Sequence, residues 1–245
     1  MFVDIHSHVV PSGDDGARDA GEGLDLARSA ARHGTSVLFA TPHVWPGDGL
    51  SEKREQAVRA IHAQMAATLA EEGLDLRLGF ELTPSSRLLD DDPARYRLGG
   101  LPYVLVELPF TGPLGLAEEL AAHVEAAGLT PVIAHPERAE AVLEDPRRAL
   151  RFAERWPVQV NATSLCGYHG TACEELGWHL VEGGHARIVA SDGHRASRPP
   201  HLDSAYEAAR RRLGEELTLP LFTGALLGDL AARDRLDVAQ RRQAV

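Results

Sequence analysis

FVDIHSH, at residues 2–8, is the stretch of sequence that decides the fold, and ARIVASDGH, at residues 186–194, repeats its pattern near the other end of the chain. In each stretch, a short aliphatic run is followed by two side chains that can bind a metal ion, separated by one residue. Short runs of aliphatic and β-branched residues are typical of buried strands. The sequence therefore predicts two strands that each end in a pair of metal-capable groups.

Five further runs of the same kind lie between these two stretches, so the sequence predicts seven strands. The intervening segments carry apolar residues at three-to-four spacing, as at Val58, Ile61, Met65 and Leu69, which is typical of a helix packed on a sheet. Strands that alternate with helices predict parallel βαβ units. The predicted strands are residues 2–5, 36–40, 76–80, 103–106, 131–134, 158–160 and 187–190.

Seven parallel strands fit either an open doubly wound sheet or a barrel. No G-x-G-x-x-G follows the first strand and no G-x-x-x-x-G-K-[ST] occurs, so the nucleotide-binding forms of the open sheet lose their main support. The barrel is therefore favoured. No interior segment resembles a flexible linker, and we expect a single domain over residues 1–245, with residues 235–245 forming a last helix or a frayed tail.

In a parallel barrel, the functional residues lie at the carboxyl ends of the strands. In this sequence every predicted strand is followed by a polar group, so one end of the barrel is expected to hold the functional site. In chain order the strand ends carry His6 and His8, then His43, Glu81, Glu107, His135 with Glu137 and Arg138, Asn161, and finally Asp192 with His194.

The residue types at these ends favour a transition metal. Side chains alternate along a strand, so His6 and His8 point to the same side and can bind one cation together, as can Asp192 and His194. Mixed imidazole and carboxylate ligands suit Mn, Fe or Zn better than Mg or Ca, which prefer oxygen ligands. The sequence thus predicts a metal centre with histidine and carboxylate ligands.

Four acidic residues and Asn161 have a less direct place in this prediction. Glu81 or Glu107 could bridge two ions through its two carboxylate oxygens. Asp15 lies in the loop after the first strand, near enough to join the cluster, whereas the neighbouring Asp14 is equally explained as a turn residue. Asn161 is explained as well by a structural role as by orienting a ligand.

The histidines outside the strand ends carry weaker expectations. Those in predicted helices or their last turns are expected to be packed or solvent-exposed, and those in two loops have no predicted role. The first group comprises His33, His62, His123, His179 and His185; the second comprises His169 and His201.

Composition excludes several classes of protein. The net charge of −11 opposes nonspecific nucleic-acid binding, and 44% hydrophobic with 25% charged residues is ordinary for a globular protein. Cys166 and Cys173 match no zinc motif and cannot form a disulfide framework. The amino terminus has no basic segment followed by a long apolar run, and no apolar stretch spans a membrane, so we expect a cytoplasmic protein.

Taken together, the motifs DIHSH, ATPH, AHPER and ASDGH, with the isolated Glu81 and Glu107, resemble those of the PHP (polymerase and histidinol phosphatase) metallophosphoesterases. Within that superfamily, HSHVVPSGDDG, HPER and SRPP resemble the bacterial protein-tyrosine phosphatases of the CpsB/CapC/YwqE type. The resemblance extends from Asp4 to about Arg198. It implies a distorted (β/α)7 TIM-like barrel, the PHP fold.

The resemblance also implies a set of site residues. Two or three manganese ions are expected, with iron or zinc as alternatives, and Arg138 and Arg198 are expected to hold the phosphoryl oxygens. The implied metal ligands are His6, His8, Asp15, His43, Glu81, Glu107, His135, Asp192 and His194.

The function implied is hydrolysis of protein phosphotyrosine by a metal-bound hydroxide, in opposition to a bacterial tyrosine kinase of capsule or exopolysaccharide synthesis. The tail of such a kinase is the expected protein partner. A phosphatase for small molecules such as histidinol phosphate, or a metal-binding regulatory module without catalysis, remains an alternative. An exonuclease is disfavoured by the acidic charge. The sequence identifies no general acid and no oligomeric state.

Overall fold

The computed structural model of the protein describes residues 1–46 and 49–225, in which strands and helices alternate along the chain. The predicted tail at residues 235–245 lies outside the described residues. The strands are β1 (Phe2–Ser7), β2 (Thr35–Ala40), β3 (His43–Val44), β4 (Asp75–Leu78), β5 (Glu81–Leu82), β6 (Tyr103–Glu107), β7 (Thr130–Ala134), β8 (Val158–Asn161) and β9 (Ala186–Ala190).

The helices fill the connections between these strands. The α-helices are α1 (Ala20–Arg32), α2 (Glu52–Glu71), α3 (Gly115–Ala126), α4 (Glu140–Glu144), α5 (Arg147–Arg155), α6 (Ala162–Leu165), α7 (Thr171–Glu182), α8 (Asp203–Leu213) and α9 (Glu215–Thr223). Short 3₁₀ helices cover Ser86–Leu89, Pro93–Tyr96, Leu98–Gly100 and Pro136–Arg138.

All strand pairs in these ladders are parallel, and the seven predicted strands are confirmed as β1, β2, β4 and β6 to β9. The two-residue strands β3 and β5 continue β2 and β4 beyond a break. One sheet has the order β1-β2-β4 and the other β3-β5-β6-β7-β8-β9. Because β3 pairs with β5 and β5 with β6, the two sheets meet at the carboxyl ends of the strands.

The same end joins the last strand to the first. The Asp192 amide donates to the His6 carbonyl at 2.9 Å, and the His8 amide donates to the Gly193 carbonyl at 2.7 Å. At the opposite end, β4 and β6 share no ladder among the described residues, and Leu98 packs there into the interior. The expected distorted (β/α)7 barrel is confirmed, with its distortion at β4 and its carboxyl end continuous.

The barrel interior and the helix layer are packed separately. Val3, Ile5 and Phe39 belong to an interior apolar cluster, whereas Met65 and Leu69 of α2 pack outside the strands. Glycine ends the predicted helices as expected: Gly34 after α1 has a φ of 93°, a left-handed conformation that costs glycine little. No helix among residues 1–46 and 49–225 has both the length and the apolar character needed to cross a bilayer.

Strand β1 contains an irregularity that places its histidines. Val3 and Ile5 face the interior, so strict alternation would turn His6 outward. The register between β1 and β2 shifts between Asp4 and Ser7, and the His6 ring is fully buried beside polar groups of the interior. Local irregularities of this kind redirect side chains at functional sites. Because His6 and His8 lie two residues apart, the shift turns both of them toward the same buried cluster.

Candidate metal centre

The buried carboxylate of Glu81 lies at the middle of the carboxyl end of the barrel. Its Oε2 atom is 3.1 Å from His6 Nε2, 3.2 Å from His8 Nε2 and 3.2 Å from His43 Nδ1. Its Oε1 atom is 3.0 Å from His135 Nε2. Four imidazoles from different parts of the chain therefore converge on one carboxylate.

The structure brings all nine predicted ligands together. Eight of them form three overlapping groups in which the ligand atoms lie within 4.8 Å of one another, and His135 contacts Glu81. The groups are His8, Asp15, His43 and His194; His6, His8, Glu81 and Asp192; and His43, Glu81 and Glu107. His8, His43 and Glu81 each belong to two groups, so the arrangement is one connected cluster.

Two residues of the cluster have an unusual backbone. His135 has a φ of 32° and Asp192 a φ of 51°, and among the described residues these are the two positive φ values outside glycine. Such a conformation costs roughly 1–3 kcal/mol in a residue with a side chain. Asp192 is held in place by two donors, Arg138 Nη1 at 2.7 Å and Asn161 Nδ2 at 2.8 Å. Strain thus coincides with the residues that the sequence predicts as ligands.

A layer of polar groups behind the cluster orients its histidines. Gln159 Oε1 lies 3.0 Å from His6 Nδ1, and Gln159 donates to Asn161 at 2.7 Å. Asp14 Oδ2 lies 3.4 Å from His8 Nδ1 and accepts the His43 amide at 3.1 Å. A partner on Nδ1 fixes the ring and points Nε2 forward, as is usual behind metal ligands. Asn161 and Asp14 therefore support ligand candidates.

The mouth of the site carries the remaining predicted residues. The side chain of Asp15 is 61% exposed and lies 3.3 Å from His194 Nε2. Arg138 is 16% exposed and pairs with Asp192, and Arg198 lies against His194 Nδ1 and 3.7 Å from the Asp192 Oδ1 atom. Both arginines thus line the entrance to the cluster.

Sequence reasoning missed Gln159 and Phe110, and it placed Glu137 at a strand end without assigning it a role. Gln159 is a buried polar residue between Val158 and Val160, and that alternation was the available signal. Glu137 is fully buried and accepts the Asn161 amide at 2.9 Å and the Ser164 hydroxyl at 2.8 Å. Phe110 lies at the mouth against Arg138, and no pattern in the sequence marked it.

The ionisable groups of the cluster have pKa values that are shifted in different directions. Burial acts to raise the pKa of Glu81, but the combined effect of His6, His43 and His135 outweighs it and holds that pKa well below its usual value. Burial and the nearby Glu81 carboxylate raise the pKa of Glu107 to about 8. Burial lowers the pKa of His43 to about 4, which leaves a neutral imidazole. The cluster therefore combines ionised carboxylate, protonated carboxyl and neutral imidazole groups at pH 7.

The side chains fit a divalent cation. His43 Nδ1 and His135 Nδ1 are buried and make no hydrogen bond, and each such atom costs about 1–3 kcal/mol when left unsatisfied. His6 Nε2 and His8 Nε2 face each other at 3.3 Å. Converging lone pairs of this kind are suited to metal ions with nitrogen and oxygen ligands. The fold and these side chains define a parallel α/β-barrel protein with a candidate metal centre.

Comparison with known proteins agrees with this class. Residues 2–225 match the family described as capsular polysaccharide synthesis, CpsB/CapC. The chain is 32% identical over 232 residues to the tyrosine-protein phosphatase YwqE of Bacillus subtilis (strain 168), covering 92% of this chain and 91% of that protein. It is 24% identical over 230 residues to the tyrosine-protein phosphatase CpsB of Streptococcus pneumoniae, covering 90% of this chain and 95% of that protein.

Similarity to a solved structure supports the same family. It comes from a study of YwqE and CpsB, described there as unique metal-dependent tyrosine phosphatases, and it matches this chain with a TM-score of 0.79 and 31% identity. The match covers 89% of this chain and 90% of the other. The chain belongs to the CpsB/CapC family. The resemblance drawn from the motifs is confirmed.

We expect metal binding at this cluster to strengthen as the pH rises. Burial alone would lower the pKa of His8, but hydrogen bonds with Asp14, Asp192 and Glu81 raise it well above its usual value. His8, and Glu107 with its pKa of about 8, thus hold protons at pH 7 that a cation must displace. The dissociation constant for Mn²⁺ should fall by about tenfold or more from pH 6 to pH 8. Calorimetry between pH 6 and pH 8 measures this dissociation constant. Glu107→Gln should reduce its dependence on pH. An affinity that does not change with pH would contradict the expectation.

Proposed function

We propose that this protein is a metal-dependent phosphatase that removes phosphate from tyrosine residues of proteins. The observation that carries the proposal is the connected histidine and carboxylate cluster with two arginines at its entrance. Relatives that match almost the whole chain are named as tyrosine-protein phosphatases, which supports the same activity. The site therefore has to bind cations, a phosphate group and an aromatic side chain.

The nine clustered residues are proposed to hold two or three ions, manganese first, with iron or zinc as alternatives. Glu81 belongs to two of the groups, and its two oxygens allow one side chain to contact two ions. Divalent ions supply Lewis acidity, activating water at neutral pH and stabilising charge on the phosphoryl oxygens. The proposed ligands are His6, His8, Asp15, His43, Glu81, Glu107, His135, Asp192 and His194.

Arg138 and Arg198 are proposed to bind the phosphoryl oxygens. Arg138 donates a hydrogen bond to Asp192 through Nη1, and its other guanidinium N–H groups remain available to bind an anion at the mouth. Arg198 lies within 3.7 Å of the same carboxylate from the other side. Fixed donors that face developing negative charge are the type of group that stabilises a transition state most effectively.

The leaving group needs little help from the protein. A phenolate has a pKa of about 10, so it departs with less protonation than an alkoxide requires. Burial and the charge of Arg138 lower the pKa of His169 to about 4, so its ring is neutral at pH 7 and is a weak proton donor. A site that gives the leaving group little protonation suits a tyrosine phosphate better than an alkyl phosphate.

Aromatic side chains at the mouth support an aromatic substrate. The Phe110 ring is 47% exposed and stacks on His135 with centroids 5.9 Å apart. The Arg138 guanidinium lies 4.5 Å from the Phe110 ring centroid. Trp45, 41% exposed, stacks on His43 with ring centroids 5.4 Å apart. A phosphate held by Arg138 would place the phenyl ring of its tyrosine beside Phe110.

The physiological substrate is proposed to be the phosphorylated tail of a bacterial tyrosine kinase of capsule or exopolysaccharide synthesis. The family description names capsular polysaccharide synthesis, which supports this assignment. A small-molecule phosphatase would share the metal cluster, and a regulatory module would need only to bind the metal. The experiments below separate the three.

Substitutions should separate metal binding from phosphate binding. His6→Ala should lose bound metal and activity together. Arg138→Ala should keep its metal, yet lose turnover by roughly 10²–10³ because a preorganised donor is removed. Arg147→Ala is the control, since that side chain is 81% exposed at the start of α5. Metal analysis and phosphatase assays decide the matter; a His6→Ala protein with full metal content would contradict the proposed ligand set.

The substrate class is tested by comparing a phosphotyrosine peptide, a phosphoserine peptide and histidinol phosphate with manganese added. We expect kcat/KM to favour phosphotyrosine by at least about tenfold, which corresponds to about 1.4 kcal/mol of transition-state stabilisation. Chelation should abolish all turnover. Preference for histidinol phosphate would indicate the small-molecule alternative, and metal binding without any turnover would indicate the regulatory one.

Phe110→Ala should weaken this preference specifically. Removing the ring takes away apolar contact with the phenyl group of phosphotyrosine, a group that phosphoserine lacks. We expect kcat/KM for the phosphotyrosine peptide to fall by about tenfold and that for phosphoserine to stay unchanged. Phe110→Tyr keeps the ring and serves as the matched control. Equal losses on both peptides would show that Phe110 acts only by holding Arg138.

A further inference from the structure

A second group of metal-capable side chains lies where α1 ends and α8 begins. His33 caps the carboxyl end of α1, Asp203 is the first residue of α8, and His201 lies two residues before it. One ligand atom from each lies within 4.8 Å of the other two. His33 precedes the amino end of β2, whereas the candidate metal centre lies at the carboxyl ends of the strands. This group is therefore separate from that centre.

Its side chains already contact one another closely. His33 Nδ1 lies 2.7 Å from the Asp203 Oδ2 atom. The His33 and His201 rings stack with centroids 3.7 Å apart and an angle of 17° between their planes. Ser29 Oγ lies 2.8 Å from His201 Nε2. Two imidazoles and a carboxylate, the donors that bind zinc and similar ions, are thus assembled within contact distance.

The charge state suits a cation. Two rings stacked this closely repel each other when both are protonated, and burial together with the charge of His33 lowers the pKa of His201. Burial acts to raise the pKa of Asp203, but hydrogen bonds from His33 and the Ser204 amide outweigh it and lower that pKa. A neutral imidazole and an ionised carboxylate are the forms that ligate a metal.

The group is both accessible and held in place. The side chains of His33 and Asp203 are 39% and 42% exposed, so an ion can reach them from solvent. His201 follows Pro199 and Pro200, and its amide donates to the Pro199 carbonyl at 2.8 Å. Proline fixes φ at each of these two positions, so the turn that presents His201 loses little entropy on binding.

We propose that His33, His201 and Asp203 bind one divalent transition-metal ion, of which zinc is the prototype. Three protein ligands leave a coordination position for water. The ion links α1 to the segment that runs from β9 to α8.

Zinc counting tests the proposal on the intact chain. Wild-type protein and the variant His33→Ala/His201→Ala are dialysed to equilibrium at the same buffered concentration of free zinc, and total zinc per chain is measured. The wild type should hold one ion more than the variant, whatever the occupancy of the main centre. Asp203→Asn should weaken this extra site by about tenfold or more. Zinc should also raise the melting temperature of the wild type more than that of the double variant.

A matched control excludes nonspecific binding to surface histidines. His179 and His185 form another histidine pair, with centroids 6.2 Å apart, and belong to no three-residue metal-capable group among the described residues. His179→Ala/His185→Ala should keep the extra ion. Phosphatase activity with manganese should be unchanged in both double variants, so this result is independent of the proposed catalytic function.

Two outcomes would overturn the proposal. One is equal zinc content in the wild type and the His33→Ala/His201→Ala variant; the other is loss of the ion from the control variant as well. Should the double alanine variant fail to fold, His201→Gln provides the same test, because it keeps a hydrogen-bonding group beside Ser29. Unchanged zinc content in folded His201→Gln would then refute the site.

Discussion

The buried carboxylate of Glu81 is the constraint on which the rest of the structure depends. An isolated charge in a protein interior is strongly unfavourable unless it is paired or binds a metal, and Glu81 lies within 3.2 Å of nitrogens from His6, His8 and His43. These imidazoles arrive from β1 and β3, so several strands must end at the same level. A continuous carboxyl end of the barrel satisfies that requirement.

The contact between the last and the first strand shows how the fold brings strand ends to the same level. Asp4 is fully buried, and its Oδ1 atom accepts the Ser191 amide at 3.0 Å and the His6 amide at 3.3 Å. Burial raises the pKa of Asp4 to about 6. The Asp192 amide then bonds to the His6 carbonyl. The first and last strands are thus fastened at the point where both deliver metal-capable side chains.

Three kinds of side chain occupy different levels of the site. The histidines and carboxylates face inward, the arginines lie at the entrance, and the exposed ring of Phe110 forms the rim. Arg138 connects all three layers, because it pairs with Asp192 below and packs on Phe110 above. A substrate with a phosphate on an aromatic ring matches this order from the floor of the site to its rim.

The sequence by itself determined the seven strands, the helices between them and the polar groups at the strand ends, because hydrophobic periodicity and strand ends are local features. The resemblance of its motifs to a known family supplied the full set of nine residues that cluster. Only the tertiary structure decided how those residues are held. The irregularity in β1 turns His6 inward, Gln159 and Asp14 orient two imidazoles, and Phe110 joins Arg138 across a loop. His33 and Asp203 are 170 residues apart in sequence and 2.7 Å apart in space. Contacts of this kind follow from register and packing between distant segments, which no local pattern of residues encodes.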